Sequence, residues 1–278
     1  MGRASPGLSS RWETLVLASA GGADGRTCTS AGTINTKGTW VTDTTWKPTF
    51  TWNLMQVTLL NASAGDYTVD IGIDDGSGNV YVICPDLRCP GLRVARAGMV
   101  HYMLPLHVEQ GKQFAFRCAA SVVSLQCRVT IGGGSIGMGG SMGFSRMVAL
   151  YSPSSSRGVA VDPGGTADTK GSWAQLTSSS SDRVVAIAGC IGHNNDIARA
   201  ANQSMLLDIG IGAASSERVL IPDLHFTAET NQDQWLPSTF GPYPCDVPSG
   251  TRFSARSACS VNTAGDRTCD VALWGFVA

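Results

Sequence analysis

Thr36-Lys37-Gly38-Thr39-Trp40 returns 133 residues later as Thr169-Lys170-Gly171-Ser172-Trp173, and Val69-Asp70-Ile71-Gly72-Ile73 returns 138 residues later as Leu207-Asp208-Ile209-Gly210-Ile211. An internal repeat decides architecture before any single motif does, because it makes one structural unit occur more than once. Val82-Ile83-Cys84-Pro85-Asp86-Leu87 matches Val219-Leu220-Ile221-Pro222-Asp223-Leu224 at an offset of 137, and the stretch from Val108 to Arg117 matches that from Val247 to Arg256 at 139. The drift in offset marks loop insertions and deletions. The entries into the two copies agree as well, with Ser10-Arg11 before Leu15-Val16-Leu17 and Ser145-Arg146 before Val148-Ala149-Leu150. Residues 1–131 therefore read as a first copy with an N-terminal arm (Met1 to Arg11), and residues 144–278 as a second. The glycine-rich stretch 132–143 between them reads as a flexible linker.

Within a copy the hydrophobic period is that of strands. Phe114, Phe116 and Cys118 alternate with Ala115 and Arg117, as Phe253 and Ala255 alternate with Ser254 and Arg256. Asp74-Asp75-Gly76-Ser77-Gly78-Asn79 has the chemistry of a hairpin turn, and Pro248-Ser249-Gly250 that of a turn before a later strand. Only Asp196 to Met205 looks helical, and a short loop helix is expected there. With 33 glycines and 15% charged residues, the composition suits many short strands joined by tight turns. The expected fold is all-β: two tandem homologous antiparallel β-sandwich (jelly-roll-like) domains, each of about eight strands. An immunoglobulin order stays open, although neither copy carries the paired cysteines and tryptophan that specify it.

Twenty basic and 21 acidic residues are well mixed and leave a net charge of −1, which offers no basic face to nucleic acid or anionic lipid. No stretch reaches the roughly 18 apolar residues of a membrane span, and Met1-Gly2-Arg3-Ala4-Ser5-Pro6 lacks the apolar core of a signal peptide, so cytoplasmic synthesis is expected. Nine cysteines, an odd number scattered singly, read as buried small apolar residues. Cys84 and Cys89 are close enough for a zinc knuckle, but no second pair completes four ligands, and Cys84 aligns with Ile221. Neither a metal nor a cofactor is expected.

The motifs that resemble chemistry fail on context. Gly133-Gly134-Ser135-Ile136-Gly137 and Gly139-Gly140-Ser141-Met142-Gly143 spell a nucleophile elbow, which needs a strand turning sharply into a helix. Gly210-Ile211-Gly212 opens a dinucleotide fingerprint that Ser215 interrupts. His101, His107, His193 and His225 form no ligand pair and have no counterparts in the other copy. Asp70 with Asp208, and Asp86 with Asp223, recur in both copies and raise a glycosidase-like acid pair; their duplication favours carboxylates that accept backbone hydrogen bonds at strand ends. Asp74 and Asp75 could hold calcium, yet the second copy has Gly212-Ala213-Ala214 in that turn. Catalysis is not expected. Asn61-Ala62-Ser63 and Asn202-Gln203-Ser204 spell glycosylation sequons without weight in a cytoplasmic product. Trp40 and Trp173, being equivalent, are expected inside, whereas Trp46, Trp52 and Trp235 fall in unmatched regions and are candidates for glycan or subunit contact. The loops from Asp43 to Trp52 and from Thr227 to Tyr243 would carry such a glycan platform.

The order of motifs in the second copy resembles a domain of structural proteins in tailed bacteriophages and phage-like particles. It runs from Gly171-Ser172-Trp173 through Leu207-Asp208-Ile209-Gly210-Ile211-Gly212-Ala213-Ala214-Ser215-Ser216-Glu217 and Ile221-Pro222-Asp223-Leu224 to Val247-Pro248-Ser249-Gly250-Thr251 and Arg256. The first copy keeps that frame but places Asp74-Asp75-Gly76-Ser77-Gly78 at the turn. The resemblance implies a virion component made in the bacterial host cytoplasm: a tail-fibre, spike, baseplate or capsid-decoration subunit. It also implies a homo-oligomer, a trimer being favoured, with other virion proteins as partners and host surface polysaccharide as an alternative ligand.

Overall fold

The computed structural model describes residues 11–15, 25–61, 65–89, 99–135, 143–152, 158–193, 203–228 and 238–277. The first copy contributes β1 (Arg11–Leu15), β2 (Arg26–Thr29), β3 (Val41–Thr42), β4 (Leu54–Asn61), β5 (Tyr67–Asp74), β6 (Val80–Cys89), β7 (Met99–Leu104), β8 (Gln113–Ala120) and β9 (Gln126–Ser135). The second contributes β10 (Arg146–Ala149), β11 (Val159–Val161), β12 (Ala174–Thr177), β13 (Val184–His193), β14 (Gln203–Ile211), β15 (Arg218–Ala228), β16 (Ser238–Val247), β17 (Phe253–Cys259) and β18 (Cys269–Val277). One short helix, α1 (Ala264–Arg267), precedes the last strand.

Neighbouring strands run β1-β9-β4-β7 in one sheet of the first copy, with β2 also on β9, and β3-β8-β5-β6 in the other. The second copy repeats this strand for strand: β10-β18-β13-β16 with β11 on β18, and β12-β17-β14-β15. All these ladders are antiparallel. Two such sheets, joined by crossovers between them, make a jelly roll, and the chain is two of them in tandem. Among the described residues no ladder between strands joins the copies; one parallel bridge, Leu106 to Phe144, lies at their junction.

Each copy encloses its own core. In the first, Val69 and Ile71 of β5 and Phe114 and Phe116 of β8 are fully buried, and the Phe114 ring stacks on Trp52 at 5.7 Å and on Phe116 at 6.4 Å. Each such side chain contributes roughly 1.5–3 kcal/mol by leaving water. The duplication extends to backbone detail. Gly25 and Gly158 have φ of +95° and +97°, and a Cβ on either would meet the carbonyl oxygen of Val129 or Val271 at 2.7 Å. Only glycine fits both demands.

Two expectations need correction. Gly132 to Ser135 are the end of β9 and not linker. Gly133 faces the core beneath Trp52, where a Cβ would stand 2.1 Å from the indole, so this glycine serves a close approach of ring to backbone. Residues 136–142 lie outside the described residues. Gln203, Ser204 and Met205, expected at the end of a helix, open β14, where pairing with β15 and β17 overrides the local helical spacing; residues 196–202 are outside the described set.

The copies join through unlike surfaces. The outer face of the sheet containing β10, β18 and β13 carries Trp274, Phe276, Met147 and Cys190, all buried. That face covers the edge of the first copy where β6 and β7 end its two sheets. Trp274 Nε1 donates to Pro85 O at 2.9 Å, and its ring meets Tyr102 edge-on at 5.6 Å. Tyr151 donates to Asp86 O at 2.6 Å, and Phe276 packs on Phe144 at 5.2 Å. Arg88, fully buried, donates to Asp270 O at 2.9 Å and lies 3.5 Å from the Asp270 carboxylate and 3.9 Å from that of Asp66. Burial discourages its charge, but the two carboxylates prevail and push its pKa above the ordinary guanidinium range.

Candidate functional site

The repeated residues converge on the outer face of the four-stranded sheet in each copy. Asp70 lies on β5 between the inward Val69 and Ile71, so its carboxylate points outward, opposite Arg117 of β8. The segment before β3 crosses this face, tied down by Asn35 N–H to Ala120 O and Gly38 N–H to Cys118 O, both at 2.8 Å. That crossing brings Lys37 onto Asp70 at 2.8 Å and onto Asp86 at 2.6 Å. Asp70 also accepts from Arg117 Nε and from the Asp86 N–H, each at 2.8 Å. The Arg117 guanidinium sits 4.4 Å above the Trp40 ring.

The second copy builds the same cluster. Asp168 N–H reaches Cys259 O and Gly171 N–H reaches Ser257 O. Lys170 lies 2.7 Å from Asp208 and 2.9 Å from Asp223; Arg256 Nε donates to Asp208 at 2.9 Å and stands 4.6 Å over Trp173. Asp223 N–H donates to Asp208 at 3.0 Å. Asp86 and Asp223 both adopt positive φ, 52° and 50°, a conformation aspartate tolerates better than most residues.

This geometry explains the repeat. Burial pushes the Asp70 carboxyl up, but Lys37, the Asp86 N–H and Arg117 outweigh it and hold its pKa below the ordinary value. The same opposition, with the Asp223 N–H, Lys170 and Arg256 on the lowering side, holds Asp208 low. A glycosidase general acid needs the opposite displacement. Trp40 and Trp173 are half-buried lids over these clusters and not core residues, because each lies on the outer face against a glycine of β5 or β14, Gly72 or Gly210.

The unmatched tryptophans separate. Trp46 is 42% exposed at the loop end of the first copy. Trp52 is fully buried and unfit for glycan or partner contact; its Nε1 donates to Glu13 at 2.8 Å, which also accepts from Thr49. Trp235 lies outside the described residues, as does most of the loop before β16. Cys84 and Cys89 are buried in the first core, and His101 and His225 are exposed. The Asp75 carboxylate is occupied by its own turn, accepting from Ser77 N–H at 2.7 Å and from the Asn79 side chain at 2.9 Å.

Sequence reasoning missed an open cleft of about 610 Å³ at the same end of the first copy. Its walls come from the β5–β6 hairpin, with Ile73, Asp74 and Tyr81, and from the segment before β8, with His107, Glu109 and Lys112. The Tyr81 ring is 56% exposed. An aromatic face beside carboxylate acceptors can bind a polyhydroxylated ligand. Its two walls come from segments some 30 residues apart in sequence, so no motif announced it.

No family model and no curated protein matches the sequence. Among solved structures, the tandem carbohydrate-binding domain CBM22-1-CBM22-2 of Paenibacillus barcinonensis Xyn10C aligns over 96% of this chain and 91% of its own, at 9% identity and a TM-score of 0.26. PNGF-II aligns over 96% of this chain and 65% of its own, at 7% identity and 0.36. PNGase F, a glycosylasparaginase from Flavobacterium meningosepticum, aligns over 95% and 99%, at 9% identity and 0.31. Likenesses this distant carry no functional argument, and the jelly-roll assignment rests on the strand order of this chain.

Proposed function

We propose that this protein is a non-catalytic structural subunit of a tailed phage or phage-like particle, of the tail-fibre, spike, baseplate or decoration kind. The observation that carries the reading is the engagement of all four repeated aspartates, Asp70, Asp86, Asp208 and Asp223, in ion clusters that pin a crossing segment to each sandwich. The residues shared by the copies thus serve construction, and the buried Arg88–Trp274 interface fuses two sandwiches into one block. The phage-like order of motifs in the second copy supports the same reading. Electron microscopy of the parent particle is its test: density for the double sandwich on tail, baseplate or capsid is expected, and absence from every particle overturns the proposal.

A second reading, host-glycan binding, is favoured by the cleft beside Tyr81. Tyr81→Ala would abolish binding to a host polysaccharide while leaving the unfolding midpoint unchanged, since the ring is mostly exposed. A glycan array without any hit for the unmodified chain removes this reading.

A further inference from the structure

We propose that chains associate head to tail, the β15–β16 edge of one chain's second copy docking on the outer face of the five-stranded sheet in another chain's first copy. Between chains this would repeat the contact that the two copies make within one. It specifies surfaces for the self-association contained in the structural reading above, but it does not depend on where a particle carries the protein.

The two five-stranded sheets are equivalent strand for strand. Gly132-Gly133-Gly134 of β9 and Trp274-Gly275-Phe276 of β18 occupy the same places, since Gly132 pairs with Thr14 of β1 and Trp274 with Ala149 of β10. Gly133 and Gly275 face their cores, where an added Cβ would meet Trp52 in one copy and Val184 and Leu150 in the other. The flanking positions therefore face outward. In the second copy they are Trp274 and Phe276, buried against the first copy's edge. In the first copy the same face holds an aromatic ring from the neighbouring strand: Trp12 lies over Gly134 and Gly132, with an added Gly134 Cβ only 2.6 Å from its indole. That ring is 46% exposed, Thr14 on the same strand is exposed too, and Met103 is exposed on β7 at the far edge of the same sheet.

The complementary surface is exposed at Pro222, Asp223 and Tyr243, while Thr239 at the start of β16 already donates to His101 O of the first copy at 3.2 Å. The acceptors of the internal contact are Pro85 O and Asp86 O on β6. Their equivalents on β15 are Pro222 and Asp223, and the Asp223 side chain is 60% exposed where that of Asp86 is 14%. Phe240 takes the place of Tyr102 and is itself buried; the rings it contacts, Phe226 and Tyr243, are partly exposed along this edge. Pro242 and Pro244 within β16 withhold backbone donors, so docking proceeds through side chains and not by strand addition. The contact is not repeated in full: Trp274 and Phe276 give way to Gly132 and Gly134, with Trp12 as the aromatic in their place, and Arg88 and Asp270 correspond to His225 and Arg128, so the contact between chains lacks the buried ion pair and is weaker than the internal one. A contact of unlike surfaces closes into a ring or runs on as a filament.

The test is sedimentation of the whole chain with Trp12→Glu, with Pro222→Arg, and with the two variants mixed. Both positions are exposed, so folding should persist, and unchanged circular dichroism and unfolding midpoint establish that it does. The unmodified chain should associate, and each variant should raise the dissociation constant by at least about tenfold. The mixture should form a one-to-one dimer, twice the chain mass of 29.0 kDa, because each variant retains the surface the other lacks. A monomeric unmodified chain, variants that associate normally, or a mixture that forms no dimer would each overturn the proposal. A chain that associates in this way yet is absent from particles would keep this inference and remove the virion reading.

Discussion

Replacing Asp70 with alanine tests whether the repeated aspartates hold the fold. The Asp70 side chain is almost fully buried and accepts three short hydrogen bonds, from Lys37, Arg117 and the Asp86 N–H. Removing it strands the N–H, at about 1–3 kcal/mol. Lys37 and Arg117 are partly exposed and regain water, so their lost pairing adds only about 1 kcal/mol. The variant should therefore lose about 3 kcal/mol, read from urea midpoints at constant slope. Because the folded carboxyl is held low, its contribution is complete above the unfolded pKa of about 4 and fades as pH falls through the folded value. The gap between variant and unmodified protein should be full at neutral pH and close in acid. Asp223→Gly is the contrast: an exposed carboxylate whose side chain makes one ion pair, and whose positive φ glycine accepts, it should change stability by less than about 1 kcal/mol. A loss below about 1 kcal/mol for Asp70→Ala, or a gap that widens in acid, would refute the reasoning.

Other outcomes follow from packing. Trp274→Ala removes the ring that spans the copies and its bond to Pro85; it should lose about 3–5 kcal/mol and split one calorimetric transition into two. Gly133→Ala pushes a methyl into the Trp52 ring and should lower the urea midpoint by at least about 1–3 kcal/mol, or prevent folding. Trp46→Ala, at an exposed loop position, should leave stability within about 0.5 kcal/mol, whereas Trp52→Ala should lose about 3–5 kcal/mol.

The fold was legible because strand period and repeat speak through nearest neighbours. The alternation around Phe114 and the twofold occurrence of Thr-Lys-Gly-x-Trp need no tertiary knowledge to be read. What escaped depends on contacts between distant segments. Nothing in a triple glycine distinguishes a linker from a strand lying beneath Trp52, since the ring that demands the missing side chain is some 80 residues away. Trp40 and Trp52 look alike as isolated tryptophans, yet one lids an ion cluster and the other fills the core. The cleft beside Tyr81 draws its walls from separate segments, and the copy interface draws its rings and its buried cation from Trp274, Phe276 and Arg88, whose counterparts Gly132, Gly134 and His225 do not resemble them.

That lack of resemblance is itself informative. Where the copies perform the same task, they keep the same residues: the lysine, arginine and aspartates of the crossing segment, the glycine at left-handed turns, the central glycine of Gly132-Gly133-Gly134 and Trp274-Gly275-Phe276. Where their surroundings differ, they diverge within the same strand, two positions apart. Trp274 and Phe276 replace Gly132 and Gly134 because the second copy's outer face meets protein, and apolar area covered there leaves water. The first copy's face, which leaves Trp12 and Met103 exposed, could have become uniformly polar. It instead keeps a large aromatic, Trp12, delivered from the next strand onto the glycine-lined surface, which is the expected arrangement if that face also meets protein, though protein of another chain.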